Sequence, residues 1–328
     1  MRTLSIGKIR GLQQITTGKG TFVIAAIDHR GSIRSMISPD EPENVTYDQI
    51  VERKQELCST LSPYVSAILL DPEFSAAQCI AGGKISGRAG LLVSIEATGY
   101  ENSPRGRITH VLDRWSVDKI KKMGASAVKI LLYYRPDMPN VAAKQLDTIR
   151  EIAMDCIKQD IPFLVEPVTY PSTPGVAEPA ELRSRLVIET ARQLTKLPID
   201  VLKAEFPGDL AHEHDENKLI GLCRELDAAS QVPWVVLSAG VDFETFARQV
   251  EIACKSGASG FLGGRAIWQE SMTMSNQEER LHFLSTTVVE RIKKLADIVN
   301  TYAVPWYAKY GLKADGLAAI TMDWYKGY

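Results

Sequence analysis

Residues 161–168 read Ile-Pro-Phe-Leu-Val-Glu-Pro-Val, and residues 200–206 read Asp-Val-Leu-Lys-Ala-Glu-Phe. Each is a short, almost unbroken apolar run, the pattern of a strand covered on both faces in a parallel sheet. Six more runs of this kind occur at 22–27, 67–70, 91–95, 127–133, 234–237 and 260–262. The segments between them have helical period. Leu146, Ile149, Ile152, Ala153, Cys156 and Ile157 form one apolar stripe, and Phe243, Phe246, Ala247, Val250, Ala253 and Cys254 form another behind the N-cap candidate Asp242. Strand starts lie roughly 24 to 45 residues apart, which brackets the size of a βα unit. Eight such units without a dividing linker predict an α/β protein, a (β/α)8 TIM barrel over residues 1–300. The competing fold is a doubly wound open sheet, but its G-x-G-x-x-G fingerprint is absent after the first run, which leads instead into Asp28-His29-Arg30-Gly31-Ser32.

Beyond the barrel, residues 301–328 carry Tyr302, Trp306, Tyr307, Tyr310, Trp324, Tyr325 and Tyr328. So many aromatic side chains are seldom left in water, and this helical or aromatic C-terminal extension is expected to dock on the barrel or on a neighbouring subunit of a homo-oligomer.

The composition narrows the function classes. With 45% hydrophobic and 24% charged residues the 328-residue chain folds, and 38 basic against 40 acidic residues leave a net charge of −2. No excess of positive charge points to nucleic acid or an anionic membrane. No apolar run approaches the ~18 residues of a membrane span, and the first 20 residues lack a signal peptide's apolar stretch. A soluble, cytoplasmic protein is expected. The five scattered cysteines include no C-x-x-C pair and read as buried apolar residues.

In a TIM barrel, chemistry gathers at the C-terminal ends of the strands. Those ends supply Asp28 with Arg30, Asp71, Glu96, Lys129, Glu166, Lys203 with Glu205, Ser238 with Gly240, and Gly263-Gly264-Arg265. Lys129 and Lys203 interrupt apolar strands, and a buried ammonium must be either paired or neutral. One reading is a salt bridge of Lys203 with Glu166 or Glu205. The other is an amine whose pKa is lowered by desolvation and by the second lysine, ready to attack a carbonyl. Ser238, Ala239 and Gly240 after the seventh run, with Gly264 and Arg265 after the eighth, suit the phosphate site that barrels build between these two loops.

These motifs resemble the class I aldolases of the tagatose-1,6-bisphosphate aldolase family, with sulfofructose-phosphate aldolase as a close relative. The resemblance rests on Ala-Ile-Asp-His-Arg-Gly-Ser (26–32), Leu-Ser-Pro-Tyr (61–64), Glu-Ala-Thr-Gly-Tyr (96–100), Gly-Ala-Ser-Ala-Val-Lys-Ile-Leu-Leu-Tyr-Tyr (124–134) and Ile-Pro-Phe-Leu-Val-Glu-Pro (161–167). It continues through Asp-Val-Leu-Lys-Ala-Glu (200–205), Leu-Ser-Ala-Gly-Val (237–241) and Gly-Gly-Arg-Ala-Ile-Trp (263–268). It implies a metal-independent enzyme that cleaves a ketose 1,6-bisphosphate to dihydroxyacetone phosphate and glyceraldehyde 3-phosphate through a covalent lysine imine, with no cofactor. Lys203 would form the imine, Glu166 would shuttle the proton, and Asp28, Lys129 and Glu96 would line the site. Ser238, Ala239, Gly240, Gly264 and Arg265 would hold the phosphate, and Arg30 would serve the other end of the sugar phosphate. His29 stands where the family is expected to have glutamine.

Other readings use the same residues differently. A sulfofructose-phosphate aldolase would release sulfolactaldehyde, and a barrel phosphosugar isomerase or epimerase would use Glu166 as base without an imine. A sugar-phosphate sensor would be expected to lose Lys203 or Glu166, and both are present. A metal enzyme needs ligands converging from strand ends; only His29 of the five histidines lies at one, and His212-Glu213-His214 reads as solvated loop.

Overall fold

The computed structural model describes residues 4–103, 106–173 and 175–328. All eight apolar runs are strands: β1 (Phe22–Ala26), β2 (Ala67–Leu70), β3 (Gly90–Ser94), β4 (Ala127–Tyr133), β5 (Phe163–Val168), β6 (Val201–Ala204), β7 (Trp234–Leu237) and β8 (Gly260–Gly263). They pair in parallel and in chain order, and β8 pairs with β1 to close the ring. This is the (β/α)8 barrel that the repeated apolar runs predict.

Closure depends on one glycine. Gly260 has φ +138°, and a Cβ there would stand 2.0 Å from the carbonyl oxygen of Phe22. Only a residue without a side chain lets β8 approach β1 this closely. The helices pack their apolar stripes onto the outside of the ring. The helix Phe243–Lys255 starts at Asp242, whose side chain caps Thr245 N at 3.0 Å, and it buries Phe246, Val250 and Ala253. The five cysteines are buried and free. Among the described residues no helix is long and apolar enough to cross a membrane.

The N-terminal end of the barrel is sealed from two directions. The helix Ile6–Gln14 buries Leu12, and Lys8 Nζ contacts Asp200 Oδ2 at 2.7 Å. The segment after the helix Val289–Tyr302 crosses the same end: Trp306 N donates to Gly20 O at 2.9 Å and Tyr310 Oη donates to Asp200 O at 2.8 Å. Farther along, Tyr328 Oη bonds Asp160 and accepts from Gly7 N. Trp306 and Tyr310 of the aromatic extension thus lie against the barrel's own floor, at the end opposite the catalytic mouth of this fold, while Tyr302, Trp324, Tyr325 and Tyr328 stay exposed. Trp306 is 1% exposed, so Trp306→Ala is expected to lower stability by about 3–5 kcal/mol, read by urea denaturation.

Candidate active site

Strand alternation decides which polar residues meet inside the mouth. Lys129, Leu131 and Tyr133 share the inward face of β4, and β5 pairs with it in the register Lys129↔Leu164 and Leu131↔Glu166. Between β5 and β6 the pairing Val165↔Leu202 makes Glu166 and Lys203 neighbours on the next rung. The result is a cavity of about 490 Å³ lined by Asp28, His29, Arg30, Glu96, Lys129, Glu166, Lys203, Ser238, Ala239, Gly264 and Arg265. These eleven were site candidates from sequence; Gly31, Thr98, Leu131 and Tyr133, which were not, line the same cavity. Gly240 lines an adjoining hollow of about 560 Å³ together with Arg265 and Ser32.

The buried charges form one connected group. Lys129 Nζ lies 2.7 Å from Asp28 Oδ2, 2.8 Å from Glu96 Oε1 and 2.9 Å from Glu166 Oε2, and its side chain is 1% exposed. The other carboxylate oxygen of Glu166 reaches Lys203 Nζ at 2.5 Å. Glu166 therefore bridges the two lysines. Burial works against the Lys129 charge, but the attraction of Asp28, Glu166 and Glu96 outweighs it and lifts the ammonium well above the ordinary lysine pKa. For Lys129 the reading of an amine neutralised by burial and by the second lysine does not hold: three carboxylates surround it and keep it charged. Burial also opposes ionisation of Glu166 and Asp28, yet Lys129 and Lys203 hold both carboxyls below their usual range.

Asp71 stands apart, although it ends an apolar run like the others. It forms a fully buried ion pair with Lys54, whose Nζ also donates to Ile27 O at 3.0 Å, and it receives Ser75 Oγ at 2.6 Å. It faces the surrounding helices and braces the carbonyl just before Asp28. Glu205 bonds Thr169 and lies 3.3 Å from Arg183, so Lys203 pairs with Glu166 instead. Arg30 is also engaged, with Glu73 at 2.9 Å and with Glu96 O at 2.7 Å.

The β7 and β8 loops have a different character. Ala239 and Gly240 both adopt positive φ, +48° and +78°, turning the chain sharply after Ser238. A non-glycine residue held in that region is a mark of functional sites. Ser238 Oγ lies 3.5 Å from Gly264 N, and Arg265 forms no ion pair among the described residues. His29 packs edge-on against Trp268 with ring centres 5.2 Å apart. Burial, with Arg265, Lys203 and Lys54 nearby, pushes its imidazole down to about 4 against the pull of Asp28, so it is neutral at pH 7. This corner offers a hydroxyl, a backbone N–H, a neutral imidazole and an unpaired guanidinium, a donor set suited to an oxyanion. Among the described residues no group of three or more histidines, cysteines and carboxylates could hold a metal ion.

The central ammonium makes a prediction about pH. In the native protein the depressed carboxyl pKa values stabilise the fold above the unfolded carboxyl pKa near 4, and that contribution is lost as pH falls. Lys129→Met removes the cation that holds Asp28 and Glu166 low, so the native pKa values of these two carboxyls are expected to rise above the unfolded values and reverse the sign. The variant should lose about 3–5 kcal/mol at pH 8 and recover part of that at pH 5, read by urea unfolding at both.

Comparison with known proteins identifies the family. The DeoC/LacD family aldolase profile matches residues 22–270. The tagatose 1,6-diphosphate aldolase of Listeria monocytogenes is 34% identical, with 95% of this chain and 97% of that protein covered. That of Staphylococcus haemolyticus is 32% identical, with 94% and 100% covered. Among solved structures, an archaeal fructose 1,6-bisphosphate aldolase has a TM-score of 0.56 at 22% identity, covering 89% of this chain and 98% of its own. The fructose-bisphosphate aldolase of Plasmodium falciparum has a TM-score of 0.73 at 14% identity, covering 92% and 98%. At these identities the structures speak for the fold alone, but the match over most of the chain and the full-length relatives reach further: the chain belongs to the DeoC/LacD family of aldolases and is a carbon–carbon lyase.

Proposed function

We propose that the protein is a class I aldolase that reversibly cleaves a ketose 1,6-bisphosphate of the tagatose type into dihydroxyacetone phosphate and glyceraldehyde 3-phosphate. The observation that carries this reading is the 2.5 Å contact between Lys203 and Glu166, with Lys129 locked among three carboxylates behind it. A single carboxylate sits between an amine that must lose a proton and a cation that keeps its own.

The first proton moves along that contact. Lys203 gives a proton to Glu166, and the free amine adds to the C2 carbonyl of the ketose; Glu166 passes that proton to the carbinolamine hydroxyl, which leaves as water and forms an iminium. Glu166, returned to its charged form, takes the proton of the C4 hydroxyl as the C3–C4 bond breaks. The bonding electrons move onto C3 and are delocalised by the iminium as an enamine. The aldehyde half departs, Glu166 returns the proton it took from the C4 hydroxyl to C3, and addition of water to the iminium releases dihydroxyacetone phosphate and regenerates the Lys203 amine. Lys129 stays charged throughout and holds Asp28, Glu96 and Glu166 in place, a pre-organised electrostatic environment that needs no rearrangement during reaction.

The corner formed by Ser238, Ala239, Gly240, Gly264 and Arg265 suits the phosphate on C1. Neutral His29 beside it can donate to that phosphate without adding charge. Holding the dihydroxyacetone-phosphate half there converts the reverse addition into attack by an already oriented nucleophile. The same groups would accept a sulfofructose phosphate at C1, so the two substrates are separated at the other end of the chain.

Incubation with dihydroxyacetone phosphate and borohydride is expected to leave a reduced adduct on Lys203, located by peptide mass spectrometry. The adduct should vanish in Lys203→Met and persist in EDTA. Absence of the adduct alongside isomerase turnover would overturn the reading. Glu166→Gln is expected to reduce cleavage roughly 10²–10⁴-fold, measured by coupled assay of aldehyde release from tagatose 1,6-bisphosphate.

A further inference from the structure

The cations at the mouth divide into two kinds. Lys129, Lys203 and Arg30 each face a carboxylate at 2.5 to 2.9 Å. Arg265 after β8 and Arg107 in the β3–β4 connection form no ion pair among the described residues. The strand order places β3 and β4 directly across the ring from β7 and β8. Arg265 therefore lines the cavity on one side of the ring, and Arg107 lies on the opposite side, outside the cavity lining but beside Tyr133, which belongs to it, with Lys203 and Glu166 on the strands between.

Arg107 is held by an unusual device. It lies on one arm of a small antiparallel hairpin in which Glu101 pairs with Ile108. Its guanidinium carbon sits 4.4 Å from the ring centre of Tyr100, 5.1 Å from that of Tyr170 and 5.5 Å from that of Tyr133. The rings also brace one another, with Tyr133 edge-on to Tyr100 at 4.6 Å. The backbone is fixed as well. Arg107 N donates to Tyr170 Oη at 3.2 Å, Gln145 Nε2 donates to Arg107 O, and Gly106 at φ +135° brings the chain so near Tyr170 that a Cβ would lie 2.5 Å from its hydroxyl oxygen.

Aromatic faces stabilise a guanidinium while leaving its N–H edge available for a planar, two-point contact with an oxyanion. Tyr133 connects this cage to the cavity, since it lines the cavity from the same face of β4 as Lys129. Arg30, by contrast, has its guanidinium bound to Glu73 and Glu96 O. The geometry points to Arg107, caged by Tyr100, Tyr133 and Tyr170, as the residue that binds the anionic group on the sugar's far terminal carbon, a phosphate monoester or a sulfonate. This rests on the aldolase reading, with the C1 phosphate at β7 and β8.

The test uses Arg107→Met and Arg107→Lys in the full chain. The substrates are tagatose 1,6-bisphosphate, 6-deoxy-6-sulfofructose 1-phosphate and tagatose 1-phosphate, with borohydride trapping of dihydroxyacetone phosphate as a control on the other half of the site. Arg107→Met is expected to raise KM roughly 10- to 100-fold for whichever terminally charged substrate the native protein cleaves. KM for tagatose 1-phosphate and the yield of trapped adduct should stay at native levels. Arg107→Lys keeps the charge but loses the planar fork, so its KM should fall between; it carries the test if the methionine variant fails to fold. The terminally charged substrate that shows the larger rise identifies phosphate or sulfonate as the group bound. An equal rise for tagatose 1-phosphate, or no rise for either charged substrate, overturns the assignment while leaving the aldolase reading intact. Failure of the native protein to form the adduct overturns the aldolase reading and the assignment with it.

Discussion

One buried ammonium organises the catalytic end of this protein. Lys129 on β4 draws Asp28 from just beyond β1, Glu96 from beyond β3 and Glu166 from β5 to within 2.9 Å of a single nitrogen. Isolated in a low-dielectric interior, any of these charges would be expensive; together they offset one another, with Glu96 Oε2 left as the buried oxygen of the group that has no hydrogen-bond partner among the described residues. Four strands are thereby tied at the level where Lys203 enters, and Glu166 has one oxygen fixed while the other remains for the neighbouring amine. The division of labour between two chemically identical lysines follows from surroundings alone. One is enclosed by carboxylates, and the other touches a single shared one.

The residues around this group complete a gradient across the mouth. The central charges are neutralised in pairs and triplets, whereas the guanidinium groups at two opposite edges keep their charge for something else. A ligand with anionic ends and a neutral, hydroxylated middle matches that distribution, and it matches the reactive carbonyl position at Lys203. The adjoining hollow with Gly240 and Ser32 shares Arg265 with the main cavity, so the β8 arginine has room on two sides.

Much of this was legible in the sequence, and the reasons are physical. A strand covered on both faces must be apolar at successive positions, so all eight barrel strands announce themselves as runs, and a charge within such a run has to be inside the barrel or paired. Lys129, Glu166 and Lys203 are visible for that reason. The position of Asp71 at a strand end was equally visible, but whether the last residue of a strand turns inward or outward depends on where the strand stops, and here it turns toward Lys54. The charge state of Lys129 could not be read from spacing, because two of its three carboxylates reach it from just beyond β1 and from beyond β3. Arg107 carried no signal at all. Its cage draws Tyr100 from the β3–β4 connection, Tyr133 from the end of β4 and Tyr170 from beyond β5, and no local period links an arginine in a hairpin to the last two, which lie 26 and 63 residues away.

The double seal on the barrel floor bears on how the chain reaches its native state. The strand that begins the ring, β1, is laid down early, yet its hydrogen-bonded neighbour β8 ends at Gly263 and the carbonyl of Gly20 beside it waits for the amide of Trp306. During synthesis the first half of the barrel must therefore persist for most of translation as an unclosed sheet with exposed edges, in need of protection from aggregation. Contacts so distant in sequence form slowly. The turns around Trp306, made after all eight strands, act as a latch on β1, so the ring and its floor can be completed only once synthesis has passed residue 306.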